Sequence, residues 1–494
     1  MSPSLEISIP IKEPSLLETR GLIAGDWRDA PNGNTFPVFE PSSGHVLRHC
    51  SNYGHSEFVE AIDCAEKGFR QFSSSTTAKE RGAMLRKWYE LMMENLEDLA
   101  IILSLENGKT LAEARGEITT AASYASWFAE EATRSYGDTI PSSFKNTTVL
   151  TFKEPVGVCA IITPWNFPAA MITRKIAPAL AAGCAVVIKP PSETPLSALA
   201  LARLALQAGI PPSVVHVVPT TDRDASRELA TSPKVRKLSF TGSTRVGKML
   251  TQLAAGTMKK VSMELGGNAP FIVFEDANLD LAVDGAVACK FRCSGQTCVC
   301  ANRIYVHETV VEEFTSKLVE RVRCMKLGRG IDDGTTNGPL VNASAVAKVD
   351  AHVRDAVSKG AKLHIGGKAP ERSGFFYEPT VITGATADMA VATDETFGPL
   401  AAIFAFRTEE EVIGLANASE LGLSGYFFSR SIGRVMRVAR ALECGMVGVN
   451  TGLMTAAEAP FGGVKESGLG IEGSKYGLAE YQNIKSVTIG NLDD

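Results

Sequence analysis

Two periodicities run through the chain. Residues 77 to 103 set Leu85, Trp88, Met92, Leu96, Leu99 and Leu103 at helical spacing, and Thr77 with Glu80 makes a capping box, so one long amphipathic helix is expected. From about residue 156, short β-branched runs take over at Val156 to Thr163, Ala185 to Ile188, Val214 to Val218 and Lys234 to Phe240. Helical stretches separate them at Ala169 to Ala182, Pro195 to Ala208 and Val246 to Ala255. That alternation predicts a mostly parallel sheet covered by helices. A second series predicts strands at Pro270 to Phe274, Arg303 to His307, Leu400 to Phe406 and Gly425 to Ser429, with helices at Val310 to Val322 and Ala345 to Val357. Thr309 and Glu312 read as a further capping box. Asn146 to Phe152 and Ile484 to Ile489 read as strands outside both units, each able to pair with a partner subunit.

Length and composition narrow the picture. A chain of 494 residues exceeds what one core sustains, so at least two domains are expected. A net charge of −5 argues against nucleic acid as a partner. No apolar run approaches the ~20 residues of a membrane span. The first twenty residues carry Glu6, Glu13 and Glu18 against Lys12 and Arg20, with no apolar signal region, which points to the cytosol. The ten cysteines follow no regular framework and are expected to be reduced. Cys298 and Cys300 lie one residue apart, and the nearest histidine, His307, falls on an expected strand, so no metal is expected.

The chemistry concentrates in two segments. Cys298 stands in Gly295-Gln-Thr-Cys298 and Glu264 in Glu264-Leu-Gly-Gly267. A thiol nucleophile with a carboxylate that activates water fits a covalent thio-intermediate that is then hydrolysed. Most cysteines are small buried hydrophobes, so the company of the pair matters. Glu264 falls near the junction of the two α/β series and Cys298 inside the second, which would set the chemistry in a cleft between domains. Lys237 to Lys248 runs from strand through a glycine turn into a helix, a phosphate-binding arrangement. Its spacing approaches a P-loop, but Met249 stands where Ser or Thr must hold magnesium. A regular GxGxxG occurs at Gly468 to Gly473, after a polar turn and too near the end for a Rossmann unit, and reads as a flexible loop.

Six motifs in order resemble the aldehyde dehydrogenase superfamily. They are Thr163-Pro-Trp-Asn-Phe-Pro168, Lys189-Pro-Pro-Ser-Glu-Thr-Pro195, Phe240-Thr-Gly-Ser-Thr-Arg-Val-Gly247, Glu264-Leu-Gly-Gly267, Gly295-Gln-Thr-Cys298 and Glu395-Thr-Phe-Gly-Pro399. The match covers essentially the chain after residue 20, and Cys298-Val-Cys300 with the segment Pro460 to Gly477 is most similar to succinate-semialdehyde dehydrogenases.

The resemblance implies an α/β protein with two Rossmann-like open-sheet domains and a small β oligomerisation arm. Residues 1–141 and 160–266 would bind NAD(P), 267–445 would carry the thiol loop, 446–480 would return along the active site, and 142–159 with 481–494 would form the arm of a homodimer or homotetramer. Cys298 would attack the aldehyde, Asn166 would hold the oxyanion, and Glu264 would activate water against the thioester. Trp165, Lys189, Ser192, Gly242, Ser243, Leu265, Glu395 and Phe397 would line the cofactor site. Ser192, small and neutral where NAD-preferring relatives carry Glu, leans towards NADP, although Glu193 beside it leaves NAD open. Arg174, Arg292 and Thr455 would bind the distal carboxylate of succinate semialdehyde, with glutarate semialdehyde as the nearest rival. Each arginine taken without the motifs reads as a surface or inter-helix ion pair, the usual fate of Arg, and the motif context turns the reading to the substrate. A non-catalytic binding protein on the same fold is the alternative from another class. Cys300 reads either as packing or as the partner of Cys298 in a redox switch that some relatives use. Cys293 has no assigned role.

Overall fold

The β-branched runs do form a parallel sheet. In the computed structural model, which describes Ile7 and residues 9 to 491, five parallel strands lie in the order Val215–Val217, Ala185–Lys189, Val158–Ile162, Val235–Thr241, Lys260–Glu264. In chain sequence this order is 3-2-1-4-5, so the winding reverses between Val158–Ile162 and Val235–Thr241. In open α/β sheets ligands bind in the crevice at that switch point, beyond the carboxyl ends of the strands. Antiparallel strands Gly21–Ile23 and Gly468–Leu469 extend the two sides.

A second sheet carries six parallel strands, with Ala269–Val273 between Ala301–His307 and Ser424–Phe428, and Met446–Val449 on the edge. The sides of both sheets bear apolar residues because the strands are covered by helices on each face. Glu6 and the outermost ends of the segments expected at 1–141 and 481–494 lie outside the described residues.

Three expectations need correction. The helix read over 77 to 103 is two, Ala78–Glu94 and Leu96–Asn107. Asn95 ends the first because its side-chain amide donates to the Leu91 carbonyl at 2.8 Å, a local bond that competes with helix continuation. The Thr77–Glu80 box is present, and the helix beginning at Val311 has none, because Thr309 turns to His307 instead. The two outlying strands pair with each other. Thr147–Pro155 and Gln482–Gly490 match antiparallel over nine pairs, with Thr139–Pro141 on the far side.

The GxGxxG stretch is no flexible loop. Gly468 pairs with Glu264 on the edge of the first sheet at a φ of +145°, and a Cβ there would lie 1.8 Å from the Met263 carbonyl oxygen. Only glycine permits that approach.

Candidate active site

The switch-point ends of the first sheet meet the thiol loop of the second unit. Beyond Val158–Ile162, the 164–166 turn is fixed from below: Asn107 donates to the Trp165 carbonyl at 2.9 Å and Lys109 to that of Asn166 at 2.8 Å. Lys109 is itself buried against Glu117, whose other oxygen accepts from the Ala169 amide at the start of the next helix. Beyond Val235–Thr241, Ser243 caps the helix Thr244–Ala255 by position only. Its side chain makes no capping bond, so the first-turn N–H groups face outward.

The thiol loop owes its shape to three consecutive left-handed residues, Cys293 (φ 50°), Ser294 (φ 54°) and Gly295 (φ 76°). Two of them carry side chains, a conformation that persists only where the surroundings enforce it. Here they do: the Cys293 amide donates to Glu113 at 2.7 Å, Ser294 Oγ to the Gly338 carbonyl at 2.7 Å, and Gln296 accepts from the Val341 amide at 2.9 Å. Cys293 therefore shapes the loop through its backbone. Asn166 Nδ2 donates to the Gln296 carbonyl at 3.0 Å, tying the first unit to the loop. Gly267 lets the Glu264 segment approach, since a Cβ would lie 2.2 Å from the Cys298 carbonyl oxygen.

Two concavities open from half-buried Cys298. One, of about 260 Å³, is lined by Arg174, Arg292, Cys298 and Thr455 with Tyr124 and Phe461. The other, of about 300 Å³, is lined by Trp165, Asn166, Gly242, Ser243, Leu265, Cys298, Glu395 and Phe397. Eleven of the site residues read from sequence thus converge on a single sulfur. In the groove, Trp165 and Phe397 meet edge to face with centroids 5.5 Å apart, Phe397 being held at a φ of 55°. Glu395 accepts from the Gly267 amide at 3.3 Å, and burial lifts its carboxyl to about 7.

Four expected residues lie off these linings. Glu264 is buried beneath them. Lys189 sits beside Ile162 at the same sheet end, the pKa of its ammonium lowered by burial, and it has no hydrogen bond among the described residues. Ser192 donates to Glu193 at 3.1 Å. Cys300 is a free buried thiol 3.3 Å from Lys290 Nζ, and Cys298 is also free.

Glu264 belongs to a buried ionic group that the sequence reading missed. Arg174 Nη2 pairs with Glu264 Oε2 and Arg174 Nε with Glu472 Oε2 at 2.7 Å, while Lys175 pairs with Glu472 Oε1. Burial pushes the Glu264 carboxyl up to about 8, with Arg174 opposing and Glu472 adding to the rise. Burial also works against ionised Glu472, but Lys175 and Arg174 outweigh it and hold that carboxyl down to about 2. Burial pushes the Cys298 thiol up to about 12, Glu264 adds to it, and Arg174 draws it back. Glu264 Oε1 and Asn166 Oδ1 are buried with no hydrogen-bond partner among the described residues. Of the two arginines, Arg292 is the uncommitted one: among the described residues its guanidinium makes no ion pair or hydrogen bond, and it lies 5.5 Å from the Phe167 ring centroid. The only trace of Glu472 in the sequence was an acid inside a glycine turn.

The groove fits a dinucleotide on this structure's own terms. It pairs an uncapped helix N-terminus with a glycine turn, an aromatic pair and a buried carboxylate. Among the described residues no group of three or more His, Cys, Asp or Glu could hold a metal, and no helix is long and apolar enough to cross a membrane.

Comparison with known proteins agrees with the architecture. The chain is 54% identical to the 3-sulfolactaldehyde dehydrogenase of Pseudomonas putida over 98% of its length and all of that protein. It is 52% identical to the NADP(+) succinate-semialdehyde dehydrogenase of Escherichia coli K12, covering 97% of this chain and 99% of the relative. The crystal structure of succinate-semialdehyde dehydrogenase from Burkholderia pseudomallei superposes with a TM-score of 0.96 at 53% identity, over 98% of this chain and 100% of that one. The sequence pattern of the aldehyde dehydrogenase family runs from residue 27 to 487, through both sheets and the thiol loop, and the chain belongs to that family.

Proposed function

We propose that this aldehyde dehydrogenase oxidises succinate semialdehyde to succinate, with NADP(+) as the preferred coenzyme over NAD(+). The observation that carries the reading is the position of Cys298, shared by a pocket with a free cation at one side and a groove suited to a dinucleotide.

In this reading Cys298 Sγ bonds to the aldehyde carbon. Asn166 Nδ2 and the Cys298 amide hold the resulting oxyanion, preorganised donors typically worth ~3–4 kcal/mol each. The coenzyme, when bound, supplies the hydride acceptor. Glu264 then takes a proton from water, which attacks the acyl carbon and releases the acid and the thiol. Trp165, Leu265, Gly242, Ser243, Glu395 and Phe397 would hold the dinucleotide in the groove, with Lys189 and Ser192 at its outer edge. The first sheet's unit would thus serve the coenzyme and the second the thiol.

Arg292 and Thr455 would receive the distal carboxylate, and Arg174 would join them. Lys189, partly buried and close enough to Arg223 for its ammonium to be lowered further, favours a 2′-phosphate; Glu193, bonded to Ser192, must turn aside. A second reading, a longer acid aldehyde such as glutarate semialdehyde, draws support from a side chamber of about 110 Å³ bounded by Cys289, Arg292, Tyr426 and Thr455. A reducing compartment such as the cytosol suits ten free thiols. The exposed arm would join this chain to a second copy.

The test is formation of reduced nicotinamide with succinate and glutarate semialdehydes, NAD(+) and NADP(+) in parallel, beside Cys298→Ala. Faster turnover with succinate semialdehyde and NADP(+), lost in the variant, is expected. Turnover that survives Cys298→Ala would overturn the thiol mechanism, and a preference for the longer aldehyde would favour the second reading.

A further inference from the structure

One residue read as a substrate contact already has an occupant. Arg174 is 3% exposed and spends its Nε on Glu472 and its Nη2 on Glu264 Oε2, with its guanidinium stacked 4.0 Å from the Phe461 ring centroid. The same side chain lines the pocket beside Cys298. Its Nη2 also donates to Met171 Sδ at 3.0 Å, and the Tyr124 hydroxyl lies against the guanidinium. A carboxylate seated with two prongs on the Nη1–Nη2 edge draws on Nη2, the nitrogen that already serves Glu264 and Met171 Sδ.

We propose that Arg174 is a clamp on Glu264, and that the anion at the far end of the substrate opens it by exchanging with Glu264 at Nη2. The inference rests on the reading of Arg174 as a contact for that anion. Three features make the exchange a switch. Glu264 Oε2 also meets Thr241 Oγ1 at 3.3 Å and the carboxyl lies against that of Glu472, so the group is held in place while Oε1 finds no donor among the described residues. Glu472 stays on Nε and is held by Lys175 and Ser239 as well, so Arg174 keeps its place when Glu264 departs. The groups facing Glu264 are Arg174, Glu472, Lys175 and Cys298, with Tyr124 against Arg174, so the cation bonded to Glu264 lines the same pocket as Arg292, and an anion drawn in by Arg292 arrives beside the clamp.

The consequence is substrate-dependent hydrolysis. An aldehyde or ester without a distal anion still acylates Cys298, but leaves the base clamped. Arg174 is accordingly a positioning residue for the water step as well as a binding residue.

A coenzyme-free reaction isolates the step. With p-nitrophenyl acetate, Cys298 Sγ bonds to the acetyl carbon as nitrophenolate leaves; water then breaks the C–S bond, and its proton passes through Glu264. The expected course is a burst of nitrophenolate matching the thiol, then a slow phase with acetyl-enzyme accumulated by intact-protein mass. Added propionate should quicken the slow phase by roughly tenfold, the change in free fraction when a mostly closed equilibrium is opened, and leave the burst rate alone. Arg174→Gln should hydrolyse quickly without propionate and ignore it.

A slow phase unmoved by propionate would overturn the clamp, whether or not the variant folds, because that arm uses the unaltered protein. Fast, burst-free hydrolysis that requires Cys298 would overturn the clamp alone. Absence of acylation at Cys298 would overturn the thiol reading and the clamp with it.

Discussion

At Glu264, burial lifts the carboxyl to about 8, and a base acts only when deprotonated. Hydrolysis of the acyl-enzyme should therefore be weak at acid pH and climb as pH rises through about 8. Glu264→Gln should remove that limb and trap acyl-enzyme; single-turnover hydrolysis against pH measures both, and an unchanged profile in the variant would exclude Glu264 as the base. Asn166→Ala removes the amide that donates to the Gln296 carbonyl in the groove shared with Cys298, and should cost about 10²–10³ in kcat. Its kcat, read on protein of unchanged circular dichroism, decides between oxyanion support and mere loop anchoring. Cys298, Glu264 and Asn166 were legible in the sequence because each sits in a contiguous motif whose residue types state the chemistry. Glu472 and Lys175 were not, since their bond joins positions 297 residues apart and only the fold brings them together. Arg174 was read as a cation for the substrate, and its pairing with two carboxylates was not legible.

The elements were legible where apolar periodicity ran unbroken, and failed where one side chain overruled it. Asn95 divided the helix read over 77 to 103, and His307 drew Thr309 away from its capping role. The turn at 468–473 shows the opposite error. Its glycines looked like slack, yet they bring Glu472 under the sheet to neutralise Lys175 and Arg174. Glu472→Gln would leave those buried cations short of a counter-charge and should cost about 3–5 kcal/mol of stability, measured by denaturant unfolding. A loss under about 1 kcal/mol would mean that water or Glu264 replaces it. On the far side of the same sheet, neutral His216 accepts from the Ala24 amide at 3.0 Å and faces the Ser213 carbonyl at 3.1 Å, joining the Gly21–Ile23 hairpin to its neighbouring strand. Burial lowers its imidazole to about 4. Because the unfolded chain takes up this proton near 6.5 and the folded one near 4, stability should fall as pH drops across that interval, by roughly 3 kcal/mol in all. Comparing midpoints at both ends with His216→Gln, which cannot titrate, isolates the share of this one residue.

In the molecule as a whole, the two sheets account for the active site and leave the arm unexplained within a single chain. The arm has only three strands, and its longest pairing, Thr147–Pro155 with Gln482–Gly490, leaves Gln482–Gly490 as an open edge. Around it Phe144 is 76% exposed, Ile484 74% and Phe152 49%. A small sheet with an open edge and exposed apolar side chains is unstable against association, and natural edges that stay free are blunted by charge, bulges or proline. Here Lys485 supplies one charge, already paired with Glu154, and the pairing of these two strands runs without a register shift. A second copy is therefore expected to cover the arm. Light scattering at micromolar concentration should give at least a dimer, and Ile484→Asp with Phe152→Asp should shift the mass towards the monomer at unchanged far-ultraviolet circular dichroism. Since the arm strands follow the helix that supplies Glu117 after one short turn, and resume after the short helix Ser474–Ala479 that follows Glu472, a separated subunit should also lose thermal stability. A wild-type monomer at that concentration would show that the apolar side chains on the arm serve some other contact.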